Sequence, residues 1–301
     1  MGISESQLVT WSEVGAITTS CQSYNIVKNA LEAKTTPYNQ YEFKVFLQGS
    51  YGNLTNVWKD SDVDIVIRLE STFHYDLSLL SPAQDQLVRQ QMPPAQYRWE
   101  NFRQDVLSVL KGQFGQSVSL GNKAIKVPAG GGRRDADVVP TLLCRRYENR
   151  SILGGLGDTW TEGIWFLDKA GRSVINFPKQ HRANMEAKNA LTRYRFKQTV
   201  RILKNLRNRL VDDGKLAEGT APSYYIEGLL YNVPDGLFVD IYFEKSVFKV
   251  LQHLMGITDF SGFVCANRQF YLFQTNPPMW SVDACKTFLG AVANAWDKWQ
   301  R

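Results

Sequence analysis

Gln48-Gly-Ser-Tyr-Gly-Asn-Leu-Thr-Asn-Val-Trp-Lys-Asp-Ser-Asp-Val-Asp-Ile-Val-Ile-Arg68 is the stretch that decides the fold. The apolar run Phe43 to Leu47 closes on Gln48 and the Gly49-Ser50 pair. A turn-prone stretch follows, and a second apolar run extends from Asp62 to Leu69. Short apolar runs bounded by turn formers predict strands. Asp62 and Asp64 stand two positions apart in the second run, and on a strand such residues share a face roughly 7 Å apart. Val63, Ile65, Val66 and Ile67 make this a core strand, so both acids belong to a mostly buried sheet. Unpaired carboxylates there are strongly unfavourable. A hard divalent cation, bound together with substrate phosphates, removes the conflict. The segment therefore reads as a metal clamp for a nucleoside triphosphate and points to nucleotidyl transfer. An isolated Asp-x-Asp is commonly a solvated turn; the strand context and the preceding Gly-Ser pair distinguish this one.

A second pair of acids, Asp135 and Asp137, precedes Val138 and Val139. If that strand neighbours the first, one of its acids becomes a third carboxylate, the set that two-metal phosphoryl chemistry requires. Asp137, deeper in the apolar run, is the expected member. The other reading makes both acids hairpin-edge residues paired with Arg133 and Arg134. Gly49-Ser50 suits phosphate, since glycine lets the backbone approach an anion and the amide and hydroxyl both donate, although most such pairs are only turns.

The chain has 301 residues, 44% hydrophobic and 12% aromatic, which fits one large or two ordinary folded domains. No apolar run approaches the ~20 residues of a membrane span. Cys21, Cys144, Cys265 and Cys285 are scattered, and with three histidines they suggest neither a disulfide framework nor a zinc site, so a reducing cytoplasmic setting is expected. Of the net charge of +6, the segment Arg172 to Arg209 carries more than all, with Glu186 its one acid. Such a patch expects a polyanion.

Periodicity predicts helices over Thr18 to Lys34, Trp99 to Leu110 and Arg193 to Leu210, and short strands at Phe43 to Leu47, Asp62 to Leu69, Ser117 to Leu120 and Lys123 to Val127. From about Pro178 onward the pattern is mostly helical. The fold class is α+β: a catalytic core over 1–175 and a helical lobe over 176–301, with the change placed near residue 175, give or take ten. In the Arg193 to Leu210 helix, Arg193, Lys197, Arg201, Lys204 and Asn208 fall within roughly 80° of one another, while Phe196, Val200, Leu203 and Leu210 line another stripe. The cationic stripe reads as triphosphate-facing, with Lys204 the preferred phosphate ligand; a solvated basic face gives the same pattern. Ser223, after Pro222, is a helix cap or a phosphate contact, and Tyr224 is a candidate for stacking on a base.

Together these motifs resemble the cGAS/DncV-like nucleotidyltransferases, bacterial synthases of cyclic oligonucleotide signals in anti-phage defence. The residues that carry the likeness are Gln48 to Tyr51 with Asn53 and Thr55, Asp60 to Asp64, Ala136 to Pro140, and Phe196-Lys197 through Val200 to Lys204. The opening Ser4 to Leu8, with Trp11-Ser12 and Gly15-Ala16, is similar to the start of the clade E branch. The resemblance implies a polymerase-β-like palm with a long N-terminal spine helix and a C-terminal helical lobe. It implies Asp62, Asp64 and Asp137 as the metal-binding catalytic set with Mg2+ or Mn2+. By that resemblance Gln48 and Ser50 would contact the triphosphate, Lys204 and Ser223 the phosphates, and Tyr224 a base; Gly49 joins them from the turn chemistry, and Lys197 and Arg201 from the cationic stripe. The resemblance implies ATP and UTP as substrates, a cyclic UMP-AMP-type product, and a downstream effector that senses it. No nucleic-acid activator and no membrane are expected. An asparagine of the lid would read uracil; Asn176 is the candidate, with Asn184 and Asn189 as competitors, and each is equally suited to capping. Two rival readings stay in view: a non-cyclising oligonucleotide synthase or RNA-tailing enzyme, and a catalytically degenerate nucleotide- or RNA-binding module.

Overall fold

A computed structural model gives the architecture and describes residues 3–15, 18–59, 62–91, 94–149, 158–275 and 279–300. In chain order the elements are α1 (Glu5–Ser12), α2 (Thr18–Leu31), β1 (Phe43–Leu47), α3 (Gly49–Asn53), β2 (Val63–Asp76), α4 (Pro82–Gln91), α5 (Trp99–Phe114), β3 (Ser119–Leu120), β4 (Ile125–Val127), β5 (Ala136–Asn149), β6 (Thr159–Leu167), β7 (Ser173–Asn176), α6 (Pro178–Leu191), α7 (Arg195–Asp212), α8 (Ser223–Tyr231), α9 (Phe243–Met255) and α10 (Val282–Gln300). They form two compact units. One comprises Thr18–Gln48 and Ser61–Pro178, the other Met1–Ile17, Gly49–Asp60 and Lys179–Arg301. A single boundary near 175 was expected; the chain instead also changes unit at 17–18, 48–49 and 60–61. The N-terminal segment carries α1 and α2, assigned to different units, and the helix predicted over Thr18 to Lys34 is α2.

The first unit is built on a mixed sheet. β2 and β5 run parallel, with Val63 opposite Ala136 and Asp64 opposite Asp137. A parallel pair requires a long crossover, here α4, α5, β3 and β4. β1 flanks β2 antiparallel, β4 pairs the start of β5 up to Val138, and β6 pairs its second half from Leu142 onward, with β7 outside β6. Pro140 lies where β5 changes partner. Its missing N–H therefore breaks no ladder bond, and its carbonyl accepts from Trp99 Nε1 at 2.8 Å. Val63, Ile65, Ile67, Leu69 and Val138 are fully buried. α2 and α5 pack on the sheet. Buried Tyr38 meets Phe43 and Phe102 edge-on at 5.1 and 5.3 Å, a favoured aromatic geometry.

The second unit is helical. Phe196, Val200, Leu203 and Leu206 of α7 form its core with Ile226 and Leu229 of α8, Val247 and Val250 of α9 and Phe288 and Val292 of α10. α1 is tied in by Glu5, whose two carboxylate oxygens accept from Phe243 N and Glu244 N at 2.8 and 2.9 Å. An anion at those orphan amides caps α9 and complements its dipole. Among the described residues no helix is long and apolar enough to cross a membrane.

Candidate active site

One row of side chains crosses the sheet. Asp64 and Asp137 are direct partners in the parallel pair β2–β5, and Lys126 of β4 is the antiparallel partner of Asp137. Gln48, one residue beyond the last β1–β2 pair, donates its amide N–H to Asp64 O at 3.0 Å. Partners across strands share a face, and neighbouring strands lie about 4.8 Å apart. The order across that face is therefore Gln48, Asp64, Asp137, Lys126. Asp62 stands one step outside β2 on the same side and is exposed, whereas Val63, Ile65, Ala136 and Val138 are buried. Burial raises the Asp137 carboxyl above its usual range. The Asp62 charge raises it further, Lys126 opposes the rise, and Asp135 adds to it.

Asp135 serves the preceding turn. Its Oδ1 accepts from Ala129 N at 2.8 Å, and its carbonyl accepts from Val63 N at 3.0 Å. Arg133 donates to Pro128 O at 2.9 and 2.8 Å. Asp137 is thus the acid that the register sets directly against Asp64. The donors are hard oxygens, suited to a divalent cation that keeps phosphate oxygens among its ligands. Among the described residues no three His, Cys, Asp or Glu side chains form a ready-made metal cage. A Mg2+ site completed by substrate phosphates does not need one. Burial is the larger cause of the raised Asp137 carboxyl and the Asp62 charge adds to it; a cation bound among these oxygens offsets both, so the residues fit the ion.

Gly49 opens α3 at φ +64°, a left-handed conformation that favours glycine. It is exposed and Ser50 is half-buried. The turn is closed by Thr55 N donating to Ser50 O at 2.9 Å. The Gln48 side-chain Oε1 is buried with no hydrogen-bond partner among the described residues.

The cationic stripe of α7 requires a correction. Arg193 precedes the helix at φ +51°. Lys197, Arg201 and Lys204 are buried, and each bonds protein oxygens. Lys197 pairs with Glu186. Arg201 donates to Ser12 O at 2.5 Å and Leu54 O at 2.6 Å, and Lys204 donates to Thr55 O at 2.8 Å. Burial pushes Arg201 down to about 10. It also lowers Lys197, against the opposing Glu186. A face expected to meet a triphosphate instead holds α1 and the residues after α3. Periodicity defines a face, but what covers it comes from segments nearly 150 to 190 positions earlier in the chain.

Ser223 begins α8, and its Oγ accepts from Arg207 Nη2 at 3.3 Å. Tyr224 stacks on His181 with centroids 5.2 Å apart, and its hydroxyl accepts from Asn267 Nδ2 at 3.1 Å. Asn176 ends β7, and its Oδ1 accepts from Phe177 N at 2.8 Å. Asn184 donates to Ala266 O, and Asn189 accepts from Lys197 N. Sequence reasoning missed Glu227. It is buried in α8 and bonded to Asn53, Thr55 and His181. Its one visible signal is an acid inside the apolar run Ile226 to Leu230.

Comparison with known proteins agrees with this architecture. The sequence pattern of the cGAS/DncV-like nucleotidyltransferase C-terminal helical domain matches residues 183–297. The chain is 36% identical over 302 residues to the cyclic UMP-AMP synthase of Rhodothermus marinus, with 99% of each chain covered. The structure of that enzyme with Apcpp and Upnpp superposes at a TM-score of 0.87 over 99% of this chain and 98% of the other. The chain is 32% identical to the cyclic dipurine nucleotide synthase of Elizabethkingia meningoseptica, covering 99% of this chain and 98% of that one. It is 34% identical to the cyclic dipyrimidine nucleotide synthase CdnE of Legionella pneumophila, covering 93% of each. Nucleotidyltransferases of this kind generally use divalent metal ions. The chain belongs to the cGAS/DncV-like nucleotidyltransferases, within the clade E (CdnE) branch of cyclic dinucleotide synthases.

Proposed function

We propose that the chain joins two nucleoside triphosphates into a pyrimidine-containing cyclic dinucleotide, cyclic UMP-AMP or a close relative, with Asp62, Asp64 and Asp137 as the catalytic acids and Mg2+ or Mn2+ as the cofactor. The observation that carries the reading is the direct pairing of Asp64 with Asp137 on one sheet face, with Asp62 beside them. The bound cations would neutralise the triphosphate and stabilise charge at the reacting phosphorus. Asp64 on β2 and Asp62 just before that strand would hold them. Asp137 helps to draw the proton from the acceptor 3′-hydroxyl. Gln48, Gly49 and Ser50 receive the donor phosphates through the backbone amides, the hydroxyl and the Gln48 amide. The same acids serve the second, ring-closing transfer.

ATP and UTP are the proposed substrates. Relatives at 32 to 36% identity are named for three different base combinations, so overall likeness does not fix the bases. Asn176 is the proposed reader of the uracil edge, since an amide can both donate and accept. Asn184 and Asn189 tie α6 to Ala266 and to α7, and Asn176 accepts from Phe177 N. A cytoplasmic enzyme needing no nucleic-acid activator, whose product is sensed by an effector in anti-phage defence, completes the reading, as the family implies. The test is incubation with four labelled nucleoside triphosphates and Mg2+ or Mn2+, omitting one nucleotide at a time, with mass spectrometry of phosphatase-treated product. A phosphatase-resistant UMP-AMP ring is expected. A phosphatase-sensitive linear product favours the tailing or oligomerising alternative, and the absence of any pyrophosphate release favours a binding module.

A further inference from the structure

We propose that Glu227 is a positioning residue that fixes the Gly49-Ser50 turn through Thr55 and Asn53. The inference rests on the reading of that turn as the phosphate-binding element. α3 is only five residues long, too short to hold its own shape. The residues that follow it are held from outside. Leu54 adopts φ +57°, a left-handed conformation unfavourable for a residue with a Cβ, and its side chain is 44% exposed, so packing does not impose it. Arg201 donates to the Leu54 carbonyl and Lys204 to the Thr55 carbonyl. The Glu227 carboxylate accepts from the Thr55 hydroxyl through Oε1, and from Asn53 Nδ2 at 3.2 Å through Oε2. His181 Nε2 lies 2.8 Å from that same Oε2 and anchors it. Thr55 in turn closes the turn by donating its amide to Ser50 O at 2.9 Å. A continuous chain of bonds therefore runs from His181 and Glu227 through Thr55 to Ser50.

Two features mark this as more than generic packing. Glu227, Thr55, Asn53 and His181 are all buried, and a buried carboxylate adds little stability over an apolar side chain of similar size. It does fix direction, because each of its oxygens has a required donor. Its pKa is lowered despite burial, chiefly by His181 and Lys204 with Thr55 contributing, so the acceptor stays ionised. Secondly, the strained residue lies between the two bonded ones, Asn53 and Thr55. Strained backbone persists where its surroundings over-determine it.

The test uses the full chain and steady-state kinetics with ATP and UTP. Thr55→Val removes the hydroxyl at nearly constant shape; Thr55→Ser keeps it. Thr55→Val and Glu227→Gln are expected to raise KM for the triphosphates and to lower kcat/KM by about 10- to 100-fold, the scale for roughly 1 Å of misplacement. Thr55→Ser should restore most of the loss. The double variant should be little worse than either single one, since the two groups act as a unit. If Thr55→Val does not fold, Asn53→Ala carries the same test by removing one donor. Folded Thr55→Val and Glu227→Gln with wild-type KM and kcat/KM, or multiplicative effects in the double variant, would overturn the proposal. Asp64→Asn separates this failure from failure of the underlying reading. It should lose kcat while still binding triphosphate, and turnover within tenfold of wild type in that variant would count against the underlying reading rather than against the role of Glu227.

Discussion

Lys204→Met distinguishes a buried anchor from a phosphate ligand. The Lys204 side chain is fully buried, donates to Thr55 O at 2.8 Å, and sits near enough to lower the Glu227 carboxyl. A charged hydrogen bond of this kind contributes about 1.5–3 kcal/mol. Breaking a buried charge interaction by removing one member costs about 3–5 kcal/mol. Methionine fills nearly the same volume and recovers part of the lysine's desolvation, so the net loss should be about 2–4 kcal/mol. For a unit of this size that lowers the thermal midpoint by about 5–10 °C. The assay is a thermal melt followed by fluorescence or circular dichroism, with ATP binding measured in parallel below the transition. A midpoint within about 1 °C of wild type, together with an isolated collapse of ATP binding, would refute the buried-anchor account and restore the phosphate-ligand reading.

Three further outcomes follow from the packing. Glu5→Ala removes the carboxylate that caps α9 and should lower stability by about 0.5–2 kcal/mol, read as a shifted melting midpoint; an unchanged midpoint contradicts the cap. Gly163→Ala would place a Cβ 2.7 Å from the Asn176 carbonyl oxygen and 2.9 Å from the Phe177 ring, so β7 must shift at a cost of about 1–3 kcal/mol; tolerance without destabilisation would mean that this approach is not tight. Burial works to raise the Asp76 carboxyl, but hydrogen bonds from Ser78 and Arg146 and the Arg146 charge outweigh it and hold the pKa below 3.8. Asp76 therefore stabilises the fold above that ordinary carboxylate value, and the contribution fades as pH falls through the depressed one. Melts between pH 6 and pH 3 should show a steeper loss for wild type than for Asp76→Asn, and parallel profiles would contradict the assignment.

The central strands were legible because β-branched apolar runs ended at glycine, serine and proline. Asp137 was legible as the expected acid of its pair because it lies deeper in its apolar run than Asp135, whereas its pairing with Asp64 depended on which strands are neighbours and came from the sheet register. β6 and β7 were not anticipated: Gly163 interrupts the aromatic run Trp160 to Leu167, and these strands exist by pairing with the far half of β5. The faces of α7 were read correctly as faces and wrongly as surroundings. The carbonyls of Ser12, Leu54 and Thr55 that bury Arg201 and Lys204 belong to distant segments, and no local pattern announces them. Glu227 was overlooked for the same reason, since a lone acid in an apolar helix has meaning only once Asn53, Thr55 and His181 surround it. Glu5 was noticed as part of a family-like opening, but its physical task as a cap depends on α9, which begins more than 200 positions later.

The two acids that face each other across β2 and β5 are the centre of the proposed catalysis. Purified Asp64→Asn and Asp137→Asn, each shown by circular dichroism to be folded, should be incubated with ATP, UTP and Mg2+ and the products quantified by mass spectrometry. Loss of cyclic and linear product by about a thousandfold or more in both variants, with ATP still bound, is the predicted result; turnover within tenfold of wild type in either one would contradict it.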